Sequence, residues 1–198
     1  MPRALSFAGV ILADNVLSRD EPTLPPWHGG RLLQAHIQVL QPHTDFVLVV
    51  AGSKAIPVLE PIVDANAAFL ISDPQAKPGF FSSLRIGLQQ VLNRGRDAAI
   101  VALLEHPPVS TETVRLLREA LERSPRQIWA VVPEHAGRRG YPWVAGREMI
   151  GAFLAAAPEQ DADSVEQLYH DHICYVTVED PLTADGLEAT EKQTRTAP

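Results

Sequence analysis

A single three-layer α/β/α domain around a mostly parallel, doubly wound sheet is the fold class predicted by this sequence of 198 residues. Three observations predict it. Six apolar runs are short and near-continuous, the habit of strands covered on both faces. Segments with helical spacing stand between several of them. With 45% hydrophobic and 21% charged residues, the composition is that of a globular domain, and a chain this long buries roughly 70% of its unfolded surface.

The strand candidates are residues 5–13, 46–51, 67–72, 98–104, 128–133 and 173–178. Leu32, Leu33, His36, Ile37 and Leu40 fall on one helical face, as do Leu84, Leu88, Val91 and Leu92, and then Val114, Leu117 and Leu121, with Ser110 as the N-cap of the last. Alternation of this kind predicts right-handed crossovers and a ligand site beyond the carboxyl ends of the strands. The segments at that edge are 14–30, 73–83, 105–110, 134–143 and 179–186. After Asp185 the chain turns polar without an apolar period, so the expected domain is 1–185, followed by a flexible tail over 186–198.

Charge and cysteine content exclude whole classes of function. Lys+Arg number 17 against 24 Asp+Glu, a net charge of −7, and the lysines are only Lys54, Lys77 and Lys192. Nucleic-acid binding draws on clustered basic residues, and no basic stripe is visible. No apolar run approaches the ~20 residues of a membrane-spanning helix. The early Arg3 is followed by a strand-like run without a small-residue cleavage pattern, so a cytoplasmic location is expected. Cys174 is the only cysteine, which rules out an internal disulfide.

Four segments in order carry a family likeness. The first strand ends in Gly9-x-Ile11-Leu12-Ala13 and leads to a polar loop holding Arg19, then Pro26-Trp27-x-Gly29-Gly30 and the Leu32-Leu33-x-x-His36 helix. Gly79-Phe80-Phe81-Ser82-Ser83-Leu84-Arg85-Ile86-Gly87-Leu88 is similar to G-x-x-S-S-L-x-x-G-L, and Leu103-Leu104-Glu105-His106-Pro107-Pro108-Val109 to L-x-D-x-P-x-V. Gly137-Arg138-Arg139-Gly140-Tyr141-Pro142 is similar to G-R-R-G-H-P. Together these resemble the molybdenum-cofactor nucleotidyltransferase family, whose MobA-like NTP transferase domain has a Rossmann-like fold of the nucleotide-diphospho-sugar-transferase type.

The resemblance implies transfer of a nucleotidyl group from CTP or GTP to a phosphorylated pterin such as molybdopterin, with release of pyrophosphate and with Mg²⁺. It implies Glu105 and Asp185 as metal ligands, and Glu105 and Arg19 as catalytic groups. Leu12, Ala13, Asp14, Asn15 and Arg19 would bind the nucleotide, and Ser82, Ser83, Arg138 and Gly140 the acceptor. Besides the nucleotide and a small phosphorylated acceptor, it implies a molybdoenzyme or a second copy of the chain as partner. A sugar or alcohol phosphate is a further acceptor class, with Arg19 or Arg31 on its phosphate.

Departures from the pattern cluster in the phosphate loop. Where the family reads L-A-A-G-x-S-x-R-M-G, this chain has Leu12-Ala13-Asp14-Asn15-Val16-Leu17-Ser18-Arg19-Asp20-Glu21, without either glycine and without a lysine before residue 51. Asp14, Asp20 and Glu21 add charge of the same sign as a triphosphate. Glutamate replaces aspartate at 105, and tyrosine replaces histidine at 141. A second reading therefore stands beside the first: a binding or chaperone-like protein that retains the scaffold without the catalysis.

Several residues have two readings in the sequence. Arg138 and Arg139 pair with a substrate phosphate or with carbonyls and neighbouring carboxylates. Ser82 and Ser83 face an anion or simply cap a helix that follows them. Asp14 and Asn15 contact base or ribose, or form an Asx turn. In the 170–174 segment, His170, His172 and Cys174 would share a face if extended, but zinc needs a second separated pair of ligands and none exists. His28, His36, His43 and His135 are isolated and read as surface or interface residues, and Cys174 reads as a buried small hydrophobe. Trp27, Trp129, Trp143 and the Phe80-Phe81 pair read as core or lid packing, or as an aromatic contact patch at the ligand edge.

Overall fold

The computed structural model describes residues 4–13, 29–74, 79–157 and 160–184; Asp14, Asn15, Arg19, Trp27, Asp185 and the tail lie outside them. The six apolar runs form β1 (Phe7–Leu12), β2 (Val47–Gly52), β3 (Phe69–Asp73), β4 (Ala98–Leu103), β5 (Ala130–His135) and β8 (Ile173–Thr177). The three helical faces form α1 (Gly29–Leu40), α3 (Phe80–Asn93) and α4 (Thr111–Arg123). Ser110 caps α4 as expected, its hydroxyl accepting from the Thr113 amide.

Other elements are α2 (Ile56–Ala65), the short strands β6 (Arg138–Arg139) and β7 (Trp143–Gly146), α5 (Arg147–Ala155) and α6 (Ala162–Leu168). Two prolines disguise α2. Pro57 sits in its first turn, where no intrahelical donor is needed, while Pro61 lies inside it. The 134–143 segment, read as loop, contains a hairpin. Ala136 and Gly137 both have positive φ, +50° and +76°, the backbone pattern of a type I′ turn.

In the sheet the strands run in the order β3-β2-β1-β4-β7-β5, with β6 and β8 also paired to β5. β1 to β4 are mutually parallel, and β8 is parallel to β5. β7 is antiparallel to both β4 and β5, so β5 and β8 point the same way as β1 to β4. Six carboxyl ends therefore open on one edge.

Both faces of the sheet are apolar, with alternate residues serving each. Along β1, Phe7, Ile11 and the following Ala13 meet α1, α2 and α4, whereas Ala8, Val10 and Leu12 meet α3, α5 and α6. Trp143 lies in the second core, and Phe81 packs on Phe153 at 6.2 Å between ring centroids. The Phe80-Phe81 pair is thus the first turn of a helix rather than a loop at the edge. Cys174 is half-buried at the margin of the first core.

The His170-Asp171-His172 segment is a 3₁₀ turn, not extended. The His172 ring stacks on Trp129 at 3.8 Å, and its Nδ1 donates to the Gln127 carbonyl. These residues precede β8 and β5, so they clasp the edge opposite the carboxyl ends. Among the described residues, no group of three or more His, Cys, Asp or Glu is arranged to hold a metal ion, and no helix is long and apolar enough to cross a membrane.

Gly87 sets how closely α3 approaches the sheet. A Cβ there would stand 2.7 Å from Val10 Cγ1 and 3.2 Å from Val50 Cγ2, and valine is stiff about χ1. Gly87→Ala is expected to lower stability by about 1–3 kcal/mol despite its better helix propensity. Urea unfolding checks this, and an unchanged or raised midpoint would contradict the tight contact.

Candidate functional site

The edge is built around the turn that leaves β4. Leu104 continues the strand by donating its amide to the Leu12 carbonyl at 2.9 Å, and His106 N closes the turn on the Leu103 carbonyl at 3.1 Å. Glu105, between them, is exposed at the rim. The two prolines that follow, Pro107 and Pro108, have no amide to donate. The turn is held instead from outside.

His36 on α1 is one holder. It is 4% exposed and its Nε2 donates to the His106 carbonyl at 2.8 Å. A carbonyl only accepts, so the proton is on Nε2. Burial lowers the His36 pKa from 6.5 to about 4, which keeps the ring neutral at physiological pH. His36 is therefore not the surface or interface histidine that the sequence suggests. A small cavity of ≈ 10 Å³, room for about one water, lies between His36, His106, Pro107, Val114, Tyr141 and Pro142.

Asp180, just after β8, holds the other end of the turn. Its Oδ2 accepts from the Ser110 amide at 2.7 Å and the Thr113 hydroxyl at 3.0 Å, and its Oδ1 from the Leu182 amide at 3.1 Å. One carboxylate so ties the 3₁₀ turn Pro181–Thr183 to the start of α4. His135 Nδ1 donates to the Val178 carbonyl at 2.9 Å, giving that histidine a fastening role.

The same C-terminal segment meets the β6–β7 link main chain to main chain. Tyr141 N donates to the Thr183 carbonyl at 3.0 Å, and Arg138 donates to the Ala184 carbonyl at 2.9 Å. A Cβ on residue 140 would fall 1.7 Å from the Thr183 oxygen, so only glycine permits this approach. Arg138 thus bonds a main-chain carbonyl with one of its donors, while Arg139 lies over the Tyr175 ring at 4.0 Å.

Tyr141 stands beside the Glu105 turn, its ring 5.3 Å from that of His106. Burial, reinforced by Glu166, Asp163 and Glu105, pushes the phenol up to about 12. It remains protonated at neutral pH. The carboxyl of Glu166 on α6 is itself raised, chiefly by burial and then by Asp163.

At the end of β3, Asp73 is fully buried and was not singled out by the sequence. Its Oδ2 accepts from Ser82 Oγ at 2.6 Å and from Ser83 Oγ at 3.1 Å. The serines do not precede α3. They lie inside its first turns, and the N-cap is Gly79, which provides no side-chain cap. Ser53 adds a hydroxyl bond to the Asp73 carbonyl at 3.3 Å. A lone carboxylate ending a short strand that opens Phe69-Leu70-Ile71 is the sequence signal that could have marked it.

Of the expected site residues, the structure brings Glu105, Arg138 and Gly140 to the carboxyl-end rim, and Ser82 and Ser83 to the start of the helix that follows β3. Leu12 and Ala13 are 4% and 2% exposed, with Leu12 O and Ala13 N bonded to the neighbouring strands.

Residues 19–173 match the family model of the MobA-like NTP transferase domain. The chain matches no curated protein. Among solved structures it is similar to Rv0371c from Mycobacterium tuberculosis H37Rv, at 20% identity and a TM-score of 0.70, covering 98% of this chain and 99% of that one. The manganese complex of Rv0371c matches at 18% identity with a TM-score of 0.68, covering 97% and 100%. A nucleotidyl transferase from Methanothermobacter thermautotrophicus matches at 18% identity and a TM-score of 0.70, covering 97% and 99%. The 4-diphosphocytidyl-2C-methyl-D-erythritol synthase of Anaerococcus prevotii matches at 13% identity and a TM-score of 0.71, covering 96% and 94%.

Neutral burial of His36 has a defined acid signature. The unfolded chain takes up a proton near 6.5 that the folded chain refuses until about 4, so stability falls as the pH drops through that window. The loss from this residue saturates at about 3 kcal/mol. Urea unfolding between pH 7 and 4 should show a shallower decline in His36→Gln than in the parent chain, and equal slopes would contradict the assignment.

Proposed function

This chain belongs to the MobA-like NTP transferase domain family, and from that membership we propose that it transfers a nucleotidyl group from CTP or GTP to a phosphorylated acceptor such as molybdopterin. An acceptor phosphate oxygen forms a bond to the α-phosphorus while the bond to the bridging oxygen breaks and pyrophosphate leaves. The observation that carries this reading is the convergence at the carboxyl edge. The Glu105 turn, the 180–184 segment and the start of α3 all open where ligands bind in sheets of this topology.

The residues suit a hard divalent cation. Glu105 is an exposed carboxylate on a turn held from outside, and Mg²⁺ commonly takes one or two protein carboxylates while keeping waters and phosphate oxygens. Asp185, next in the chain after the anchored Ala184, is the proposed second ligand. The manganese complex of Rv0371c supports a divalent ion in this fold. When bound, such an ion offsets charge on the phosphates.

The protein's own groups then divide the work. Leu12, Ala13, Asp14 and Asn15 border the nucleotide, with Arg19 on the triphosphate. The first turn of α3, with Ser82 and Ser83 fastened to Asp73, faces the acceptor phosphate, because amides at a helix start favour an anion. Arg138 and Gly140 act by seating the segment that leads into Asp185. Tyr141, protonated at neutral pH, acts as a hydrogen-bonding group and not as a base.

Thermal unfolding with millimolar CTP, GTP, ATP or UTP, with and without Mg²⁺, tests the reading. Binding at 100 times the dissociation constant adds about 2.7 kcal/mol, or roughly 5–10 °C for a domain of this size. A metal-dependent shift of that order is expected with CTP or GTP, followed by pyrophosphate release when acceptor is present, and Glu105→Gln should lower the transfer rate at least a hundredfold. No shift with any nucleotide would favour the binding or chaperone-like reading, to which the acidic residues Asp14, Asp20 and Glu21 already lend weight.

A further inference from the structure

We propose that His36 is a positioning residue for the Glu105 turn, acting through the main-chain carbonyl of His106. This rests on the assignment of Glu105 as a metal ligand given above. Packing alone gives no reason for a histidine at 36, which shares the inward face of α1 with Leu33, Ile37 and Leu40. A buried imidazole carries a desolvation cost that an apolar side chain would avoid, unless its hydrogen bond is needed.

The bond goes to a particular place. Its acceptor belongs to the residue immediately after Glu105, and the peptide that follows it is His106–Pro107, which has no N–H. Pro108 lacks one as well. Within the stretch from Glu105 to Ser110, His106 N bonds to Leu103 O before the prolines, and Ser110 N bonds to Asp180 beyond them. His36 adds a bond between these two, at 2.8 Å. Tyr141 abuts the His106 ring from the far side, and the cavity beneath has room for about one water. With the donor gone, the turn loses a hold one residue from the carboxylate.

Outer partners that orient a metal ligand typically change metal affinity by 10–100-fold when removed. The test is Mn²⁺ titration of the full-length chain, with free Mn²⁺ followed by its electron paramagnetic resonance signal. His36→Gln reaches the carbonyl with an amide N–H, whereas His36→Asn is one methylene too short and His36→Phe fills the space without a donor. Expected are wild-type-like Mn²⁺ affinity within about threefold for His36→Gln, and at least tenfold weaker binding for His36→Asn and His36→Phe. The Gln and Asn variants, matched in polarity, keep the comparison available where the Phe variant fails to fold.

Unfolding midpoints without metal separate positioning from general stability. The Gln and Asn variants should melt within a few degrees of one another while differing in Mn²⁺ affinity. Equal affinities for Asn and wild type, or equal losses for Gln and Asn, would overturn the proposal. A Glu105→Gln control distinguishes the layers. If it loses Mn²⁺ while His36→Asn retains it, the His36 inference alone fails, and if it binds Mn²⁺ as well as wild type, the metal assignment of Glu105 fails.

Discussion

Burial of β1 and β4 on both faces, from end to end, constrains everything else in this protein. Every residue of Phe7–Leu12 and Ala98–Leu103 is buried between two helical layers, so only the last residue of β1 borders the edge where a ligand would lie. Polar chemistry is therefore confined to the rim. The same burial makes the rim rigid, because Leu104 and Ala13 extend the sheet by one amide each before the chain departs. What lies beyond is positioned by a base that cannot shift without opening the core.

Three buried or half-buried side chains turn that base into a shaped edge. His36 reaches the β4 turn from α1, Asp180 reaches the head of α4 from the end of β8, and Asp73 gathers the serine hydroxyls at the start of α3. Each spans two elements adjacent in space, and each bonds to a main-chain group, a hydroxyl, or both. They are struts. Glu105 lies exposed on the rim that these struts shape.

The scaffold was readable from the sequence because its strands are continuous apolar runs, buried on both faces in β1, β2 and β4 and only in part at the edges in β3 and β8; all six survive with boundaries within two residues. Concealment has specific causes elsewhere. Pro57 and Pro61 interrupt the pattern of α2, and β7 is too short at four residues, Trp143–Gly146, to display a period. In the site, Glu105, Arg138 and Gly140 were visible because they sit within contiguous motifs. Asp73 was not, and His36 stood in the Leu32-Leu33-x-x-His36 segment without a sign of what it fastens. A single histidine on an apolar helix face carries no mark of the carbonyl it meets 70 residues away, and Asp180 meets Ser110 across the same separation. Spacing along the chain shows which residues share a face, but not which distant backbone group a side chain will meet.

The contact between Gly140 and Thr183 is unequal. Position 140 is read for the absence of a side chain, whereas Ala184 is gripped only through its carbonyl oxygen, which every amino acid possesses. Over evolutionary time the two sides of this joint should drift at different rates. Substitutions at 184 leave the grip intact, while the first methyl group at 140 evicts the segment. A lineage could thus rewrite the chemistry its C-terminal residues present at the rim while the glycine beneath them stays fixed, so specificity could change without any change in how the segment is seated.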